Sequence, residues 1–413
     1  MLGNEQPGHR RPRAPRGARF KVGVIAGVLA AVAILAGAAG LAFTSRSTAS
    51  KGAAAVHGKA GPLTISNAPI RVLSVTPAAG SAKLSGATSV QVSFSVAVAG
   101  DTATPQLRPH VAGHWQAWGK TLTFTPAVPL PPSTRFTVRI PAGRAGIRSA
   151  AGRVLAKPLT THFATAAYSQ LRLAELLASL GYLPMAWQPL AGDRMTSDPS
   201  GGAVASQQEM AYSPPTGRFT WQRGYPAALR AQWQAGRPNA LVQGAVMAFK
   251  AQHHLAITAA PSHRFWTKLF AAAQAGQRNA AGYTYAIASE SSPETLTIWH
   301  DRHVVLHSLA NTGIPVAPTA AGTFPVYLRY RFQVMQGTNP DGSHYADPVS
   351  FVSYFDGGEA VHYFPRGSYG FQQSLGCVEL PYDAARQAWP FLTYGSLVTV
   401  TGEAASPIHR IAH

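Results

Sequence analysis

Residues 362–380 read HYFPRGSYGFQQSLGCVEL and contain the only cysteine of the 413-residue chain, Cys377, directly after Gly376. His362 stands fifteen residues upstream, at the end of the apolar run Ala360-Val361-His362. Gly367 and Gly370 interrupt the intervening segment, so the chain has room to turn back and set imidazole beside thiol. A free cysteine has a pKa near ~8.5 and is only a few per cent thiolate at neutral pH. An imidazole that takes or shares the proton turns the thiol into an effective nucleophile. Gly376 permits close backbone approach, so amides around Cys377 can face a developing oxyanion. A lone cysteine is also commonly a small buried hydrophobe, and the spacing by itself leaves that reading open.

The wider pattern narrows the choice. Upstream, Thr295-Leu296-Thr297-Ile298-Trp299 and His303-Val304-Val305-Leu306 read as paired strands. Ala317-Pro318-Thr319-Ala320-Ala321-Gly322-Thr323-Phe324 reads as a turn, and Tyr394-Gly395-Ser396-Leu397-Val398-Thr399-Val400 as a closing strand. In this order the pieces resemble the L,D-transpeptidases, the YkuD-like family of bacterial cell-wall cross-linking enzymes. In that family a His opens the motif and a Ser-His-Gly-Cys-apolar run closes it. The resemblance covers about residues 283–402 and implies a mostly-β catalytic domain, bounded here at 281–403. It implies Cys377 as nucleophile, His362 as general base and then acid, and the backbone at Leu375 and Gly376 as oxyanion donors. Ser374, Tyr363 and Tyr345 are the implied substrate contacts. Two positions depart from the family pattern: Leu375 replaces the usual second His, and Glu379 stands where Arg or Asn usually follows. The His362–Ser374 loop is also short for the family.

The implied reaction is a ping-pong acyl transfer on peptidoglycan stem peptides. A thioester forms on Cys377 with release of D-Ala, and an amine of a second stem takes the acyl group to give a 3→3 cross-link. No cofactor or metal is implied. Water in place of the amine gives an L,D-carboxypeptidase. Leu375 and Glu379 motivate a third reading, a non-catalytic wall-binding scaffold. A sortase-like transpeptidase also uses Cys and His, but no Leu-x-Thr-Cys strand is present.

The rest of the chain reads as separate modules. Residues 1–21 are basic, and residues 22–44 carry no charge. At ~1.5 Å per residue that length matches a ~30 Å hydrocarbon core. The basic flank predicts a single-pass helix with a cytoplasmic N-terminal tail and a catalytic domain facing the wall of a bacterial cell. Residues 45–67, rich in Ser, Ala, Gly and Lys, read as a linker. Over 68–166, short alternating segments such as 89–96, 121–124 and 136–140 are separated by Pro and Gly clusters, which predicts an antiparallel sandwich. Its opening, Val75-Thr76-Pro77-Ala78-Ala79-Gly80, resembles bacterial Ig-like modules. Trp115 and Trp118 are expected to serve packing there.

Residues 167–280 switch to a helical period. Leu171, Leu173, Leu176, Leu177 and Leu180 form one face, stopped by Gly181-Tyr182-Leu183-Pro184. Further helices are expected at 242–255 and 265–273, with a long insertion over 186–236. The pattern resembles the small helical peptidoglycan-binding domain and implies glycan as a partner. Residues 404–413 form a tail.

The net charge of +19 suits an anionic cell envelope. No nucleic-acid motif accompanies it. His253-His254 lacks nearby acids or cysteines and does not read as a metal site. Oligomeric state leaves no trace in the sequence.

Overall fold

The computed structural model describes residues 69–190 and 203–402. The tail at 1–21, the expected membrane helix at 22–44, the linker at 45–67 and the tail at 404–413 lie outside them. Among the described residues no helix is long and apolar enough to cross a membrane. The expected fold class, with a transmembrane helix at its head, is therefore corrected. The chain is a multidomain protein with a β-sandwich, a helical module and a mostly-β C-terminal domain. The single-pass membrane localisation and the membrane as a partner rested on that helix, and no helix among the described residues supports them.

The sandwich contains β1 (Val72–Thr76), β2 (Val90–Phe94), β3 (Gln106–Arg108), β4 (Gly113–Trp118), β5 (Thr121–Pro126), β6 (Arg135–Ile140) and β7 (Leu159–Ala164). They form two antiparallel sheets, ordered β1-β2-β5-β4 and β3-β6-β7. The period-two alternation read from the sequence decides what is inside. Val90, Val92 and Phe94 of one sheet and Phe136, Val138 and Ile140 of the other are all buried. Phe136 stacks on Phe163 at 5.3 Å between centroids. Trp115 packs against Phe124 as expected. Trp118 does not pack: it is 81% exposed, because it lies an odd number of residues from Trp115 and points to the opposite face.

The helical module begins with α1 (Gln170–Ser179), whose first amides are capped by Ser169 Oγ at 3.1 and 3.4 Å. Its end is a Schellman turn, in which the Tyr182 amide donates to Leu177 O and Gly181 adopts φ +80°. The stretch expected as an insertion supplies β8 (Met185–Pro189), α2 (Ala203–Tyr212), β9 (Gly217–Trp221) and α3 (Ala227–Ala231). Then follow α4 (Ala240–Gln252), capped by Asn239, and α5 (His263–Gln274), capped by Ser262. Leu173, Leu177, Val246, Phe249, Phe265 and Leu269 share a core that continues into Tyr285 and Leu397 of the C-terminal domain. The join is tight at Gly244. A side chain there would run into the carbonyl of Gly395, which itself holds φ +84°.

The C-terminal domain is built from β10 (Thr284–Ser289), β11 (Thr295–His300), β12 (His303–Leu309), β13 (Gly322–Pro325), β14 (Leu328–Thr338), β15 (His344–Asp356), β16 (Glu359–Tyr363), β17 (Val378–Leu380), α6 (Tyr382–Ala388) and β18 (Leu397–Thr401). The two strands expected at 295–299 and 303–306 do pair. They join through Asp301 and Arg302, both at positive φ, the two-residue turn whose twist suits a hairpin. One sheet is ordered β12-β11-β10-β18-β13 and the other β14-β15-β16-β17. Ala286, Leu296, Ile298 and Val398 of the first meet Phe355, Val361, Val378 and Leu380 of the second, with α6 closing the same core.

Candidate active site

Two parallel strands bring the sequence-predicted pair together. β16 and β17 run in register Val361↔Val378, His362↔Glu379 and Tyr363↔Leu380. Side chains alternate across a sheet, so His362, Glu379 and Cys377 share one face, while Val361, Tyr363, Val378 and Leu380 point into the core. Tyr363 accordingly packs edge-on against Tyr382 at 5.2 Å and does not enter the cleft. Its neighbour His362 does, which is the consequence of a single step along a strand.

His362 is 3% exposed, and its Nδ1 lies 3.0 Å from the carbonyl of Tyr363. A carbonyl can only accept, so the neutral ring carries its proton on Nδ1 and leaves the Nε2 lone pair free. Burial lowers the imidazole pKa, and Arg366 adds to the lowering; the Tyr363 carbonyl and Glu379 oppose both. Cys377 Sγ sits 3.9 Å from Gly358 O. Burial pushes its thiol up to about 12, with Glu379 and Glu359 adding to the rise and the Ala360 amide opposing it. Thiol and imidazole, on one strand face and lining one cleft, therefore both rest neutral, not as thiolate and imidazolium.

The turn that presents Cys377 is held from below. Ser374 is buried; its amide donates to Thr312 O at 3.0 Å, and its carbonyl accepts from Ile314 N at 2.9 Å. Its hydroxyl donates to Cys377 O at 2.6 Å and accepts from Gly376 N at 3.2 Å. Ser374 thus works inside the turn, and the Gly376 amide is engaged by it. Gly376 holds φ +107°, in the region that favours glycine, and a side chain there would lie 3.3 Å from a Glu359 oxygen. Leu375 is 36% exposed at the cleft rim.

A polar network that the sequence did not reveal braces this turn. Arg366 Nε and Nη2 donate to the two oxygens of Glu379 at 2.8 and 2.7 Å, and Nη2 also donates to Gln373 O at 3.0 Å. The guanidinium lies 4.6 Å from the Phe364 ring centroid. Asn311, fully buried, exchanges backbone hydrogen bonds with Glu379 and accepts the Gly370 amide on Oδ1 at 3.0 Å. Glu294, also buried, accepts from Thr312 N at 2.6 Å and Thr312 Oγ1 at 2.9 Å. No local sequence pattern marks Asn311 or Glu294. Arg366 is four residues from His362, but only its contact with Glu379 gives it meaning.

The long β14–β15 hairpin covers the site. Gln333, Met335, Tyr345, Asp347 and Val349 face Cys377 and His362 across a cleft of about 630 Å³. The Tyr345 ring lies over Gly337, where any side chain would collide with it. Asn339 to Ser343 close the hairpin, with Ser343 Oγ and N both donating to Asp341 Oδ1. His344 pairs with Thr338 at the hairpin end, at 3.2 Å, and does not line the cleft. Among the described residues no three His, Cys, Asp or Glu side chains converge as metal ligands. His300 and His307 are each paired with a threonine hydroxyl, at 3.0 and 2.8 Å.

Residues 66–165 match the family model of a bacterial Ig-like domain, and residues 283–400 that of the L,D-transpeptidase catalytic domain. Among solved structures, the chain is similar to an L,D-transpeptidase from Mycobacterium smegmatis, with 16% identity over 81% of this chain and 100% of that one, at a TM-score of 0.28. It is similar to L,D-transpeptidase 3 from Mycobacterium tuberculosis, with 14% identity over 80% of this chain and 98% of that one, at a TM-score of 0.28. The catalytic domain of the E. faecium L,D-transpeptidase is 26% identical over 29% of this chain and 96% of its own length, at a TM-score of 0.27. Comparison with curated proteins finds no significant match. The chain carries an Ig-like domain and an L,D-transpeptidase catalytic domain.

Proposed function

We propose that this domain joins peptidoglycan stem peptides through a thioester on Cys377. The observation that carries the reading is the His362 tautomer: Nδ1 is held by the Tyr363 carbonyl, so Nε2 is the basic atom on the Cys377 face. Cys377 Sγ attacks the carbonyl of the L-centre that precedes a terminal D-Ala, and the thiol proton passes to His362 Nε2 during attack. A resting neutral pair requires that coupling, since little thiolate stands ready. The oxyanion is met by the amides of Leu375 and Cys377, the Gly376 amide being engaged by Ser374. Collapse breaks the C–N bond, and His362 returns the proton to the departing D-Ala amine. A side-chain amine of a second stem then attacks the thioester, loses its proton to His362, and leaves a 3→3 cross-link with the thiol restored. In this reading Tyr345, on the hairpin and lining the cleft, contacts the donor peptide.

The test incubates the purified chain and its Cys377→Ala variant with disaccharide-tetrapeptide and reads the products by mass spectrometry. Cross-linked dimer, absent from the variant, is expected. Release of D-Ala without dimer makes the enzyme an L,D-carboxypeptidase. No product from a folded wild-type chain returns the reading to a wall-binding scaffold.

A further inference from the structure

The outer face of the β1-β2-β5-β4 sheet is unusual in what it lacks. The strand registers align Ser74, Ser93, Thr121 and Trp118 in one row across it. Thr76, Gln91, Thr123 and Gln116 form the next. Neither row holds a charged side chain, although the chain as a whole carries +19. The nearby basic residues Arg71 and Lys120 lie at strand ends, outside both rows. Gln91 and Gln116 are exposed, and no other described residue hydrogen-bonds to their side-chain amides, whereas the Thr121 hydroxyl donates to Trp118 O at 2.8 Å and keeps only its acceptor capacity. At the edge of the first row stands Trp118, 81% exposed. At the opposite edge the bulge between Val72 and Ser74 leaves Leu73 67% exposed.

We propose that this face binds an uncharged glycan strand, namely the peptidoglycan backbone whose stem peptides the catalytic domain processes. The proposal rests on the reading of that domain given above. Hydroxyl and amide groups repeat about every 4.8 Å across the sheet and roughly 7 Å along each strand. Such an array fits a regular polymer of hydroxyl and N-acetyl groups. Each free donor and acceptor on the protein then meets one on the ligand without stranding a charge. The indole supplies a flat apolar surface for the C–H face of a sugar ring, with little rotamer freedom to lose. A protein partner would call for a larger contiguous apolar patch than one indole and one leucine. A polyanion would call for basic side chains within the rows. The Ig-like domain then acts as a holder that raises the local concentration of stems near the cleft.

The probe is an N-acetylglucosamine hexamer, which shares the β-1,4-linked N-acetylhexosamine chain of that backbone without its lactyl groups or stem peptides, titrated by calorimetry into the full chain carrying Cys377→Ala. Saturable binding that is insensitive to salt is expected. Trp118→Ala should weaken it about tenfold or more, and Trp118→Tyr should retain most of it. Trp118 is exposed, so matched thermal melts establish that the variants fold. Undiminished binding in Trp118→Ala overturns the assignment, as does binding that vanishes with salt, or no binding by the parent chain. Acyl transfer to a soluble tetrapeptide donor, measured with Cys377 intact, should be unchanged by Trp118→Ala. Loss of cross-linking with hexamer binding intact would remove the enzymatic reading and leave the glycan face standing.

Discussion

Arg366 closes on both carboxylate oxygens of Glu379, at 2.8 and 2.7 Å, on the same strand face that carries Cys377. The pair compensates what the sequence presents as an anomaly, an acid where the family usually places Arg or Asn. Glu379 is buried and Arg366 is partly so, with side-chain exposures of 6% and 28%. Removing the cation leaves a buried carboxylate alone, which costs roughly 3 kcal/mol, the low end for a buried pair because Arg366 is partly solvated. Arg366→Met should therefore lower the melting temperature by several degrees. It should also depress kcat by loosening the Gln373–Cys377 turn. The double variant Arg366→Met, Glu379→Met removes both charges and should regain most of the lost stability. Thermal melts of the single and double variants check the coupling, and equal losses in the two would refute it.

The neutral resting pair makes a pH prediction. Because the Cys377 thiol is raised to about 12, its thiolate fraction at pH 7.5 lies far below that of free cysteine. Alkylation by iodoacetamide without substrate should be more than tenfold slower than that of a free thiol at that pH, and should keep rising through pH 10. His362 runs the other way. Burial lowers its pKa, so below about pH 6.5 the unfolded chain takes up a proton that the folded ring refuses. Its contribution to stability is thus intact above that pH and declines as pH falls through the acid range. Activity should be retained down to the lowered imidazole pKa and lost below it. An alkylation rate that levels off near pH 7 would show a preformed thiolate instead.

Gly376 carries two independent demands, a φ of +107° and a neighbour at 3.3 Å. Gly376→Ala meets neither. The backbone strain alone is of order 1–3 kcal/mol. Relief would rotate the turn that aims the Cys377 sulfur and the adjacent amides. We expect acyl transfer to fall at least a hundredfold with a modest loss of thermal stability. Near-normal activity would mean that the turn adapts, and that the backbone around Cys377 is not a preorganised donor set.

Much of this architecture is legible in the sequence because it depends on local regularities. The alternation at Val90, Val92 and Phe94 marks the sandwich, and the Gly181 stop marks the end of α1. The His362 and Cys377 motif marks one face of two neighbouring strands. What escaped depends on partners distant in the chain. Asn311 and Glu294 acquire roles only where the turn after β12 meets Glu379 and Thr312. Tyr363, expected at the substrate, points into the core because one residue along a strand reverses the side chain's direction. Trp118 escaped the packing expectation for the same reason. Tyr363→Phe tests that placement and should leave activity within about twofold of the parent.

Ser374 separates two roles that the sequence could not. A hydroxyl beside a nucleophile can touch substrate or hold the nucleophile in place. Here it is buried, donates to Cys377 O at 2.6 Å and accepts from Gly376 N at 3.2 Å, so both bonds stay within one turn. Ser374→Ala removes the donor to one buried carbonyl and the acceptor for one amide, at roughly 1–3 kcal/mol for polar groups left unpaired. The freed Gly376 amide would then compete for the position of the oxyanion. A positioning role predicts a fall in kcat with KM nearly constant, together with a lower melting temperature. A substrate-contact role predicts the reverse, a raised KM at unchanged stability. Steady-state kinetics on a tetrapeptide donor, run beside a thermal melt, separates the two, and we expect the loss to fall on kcat.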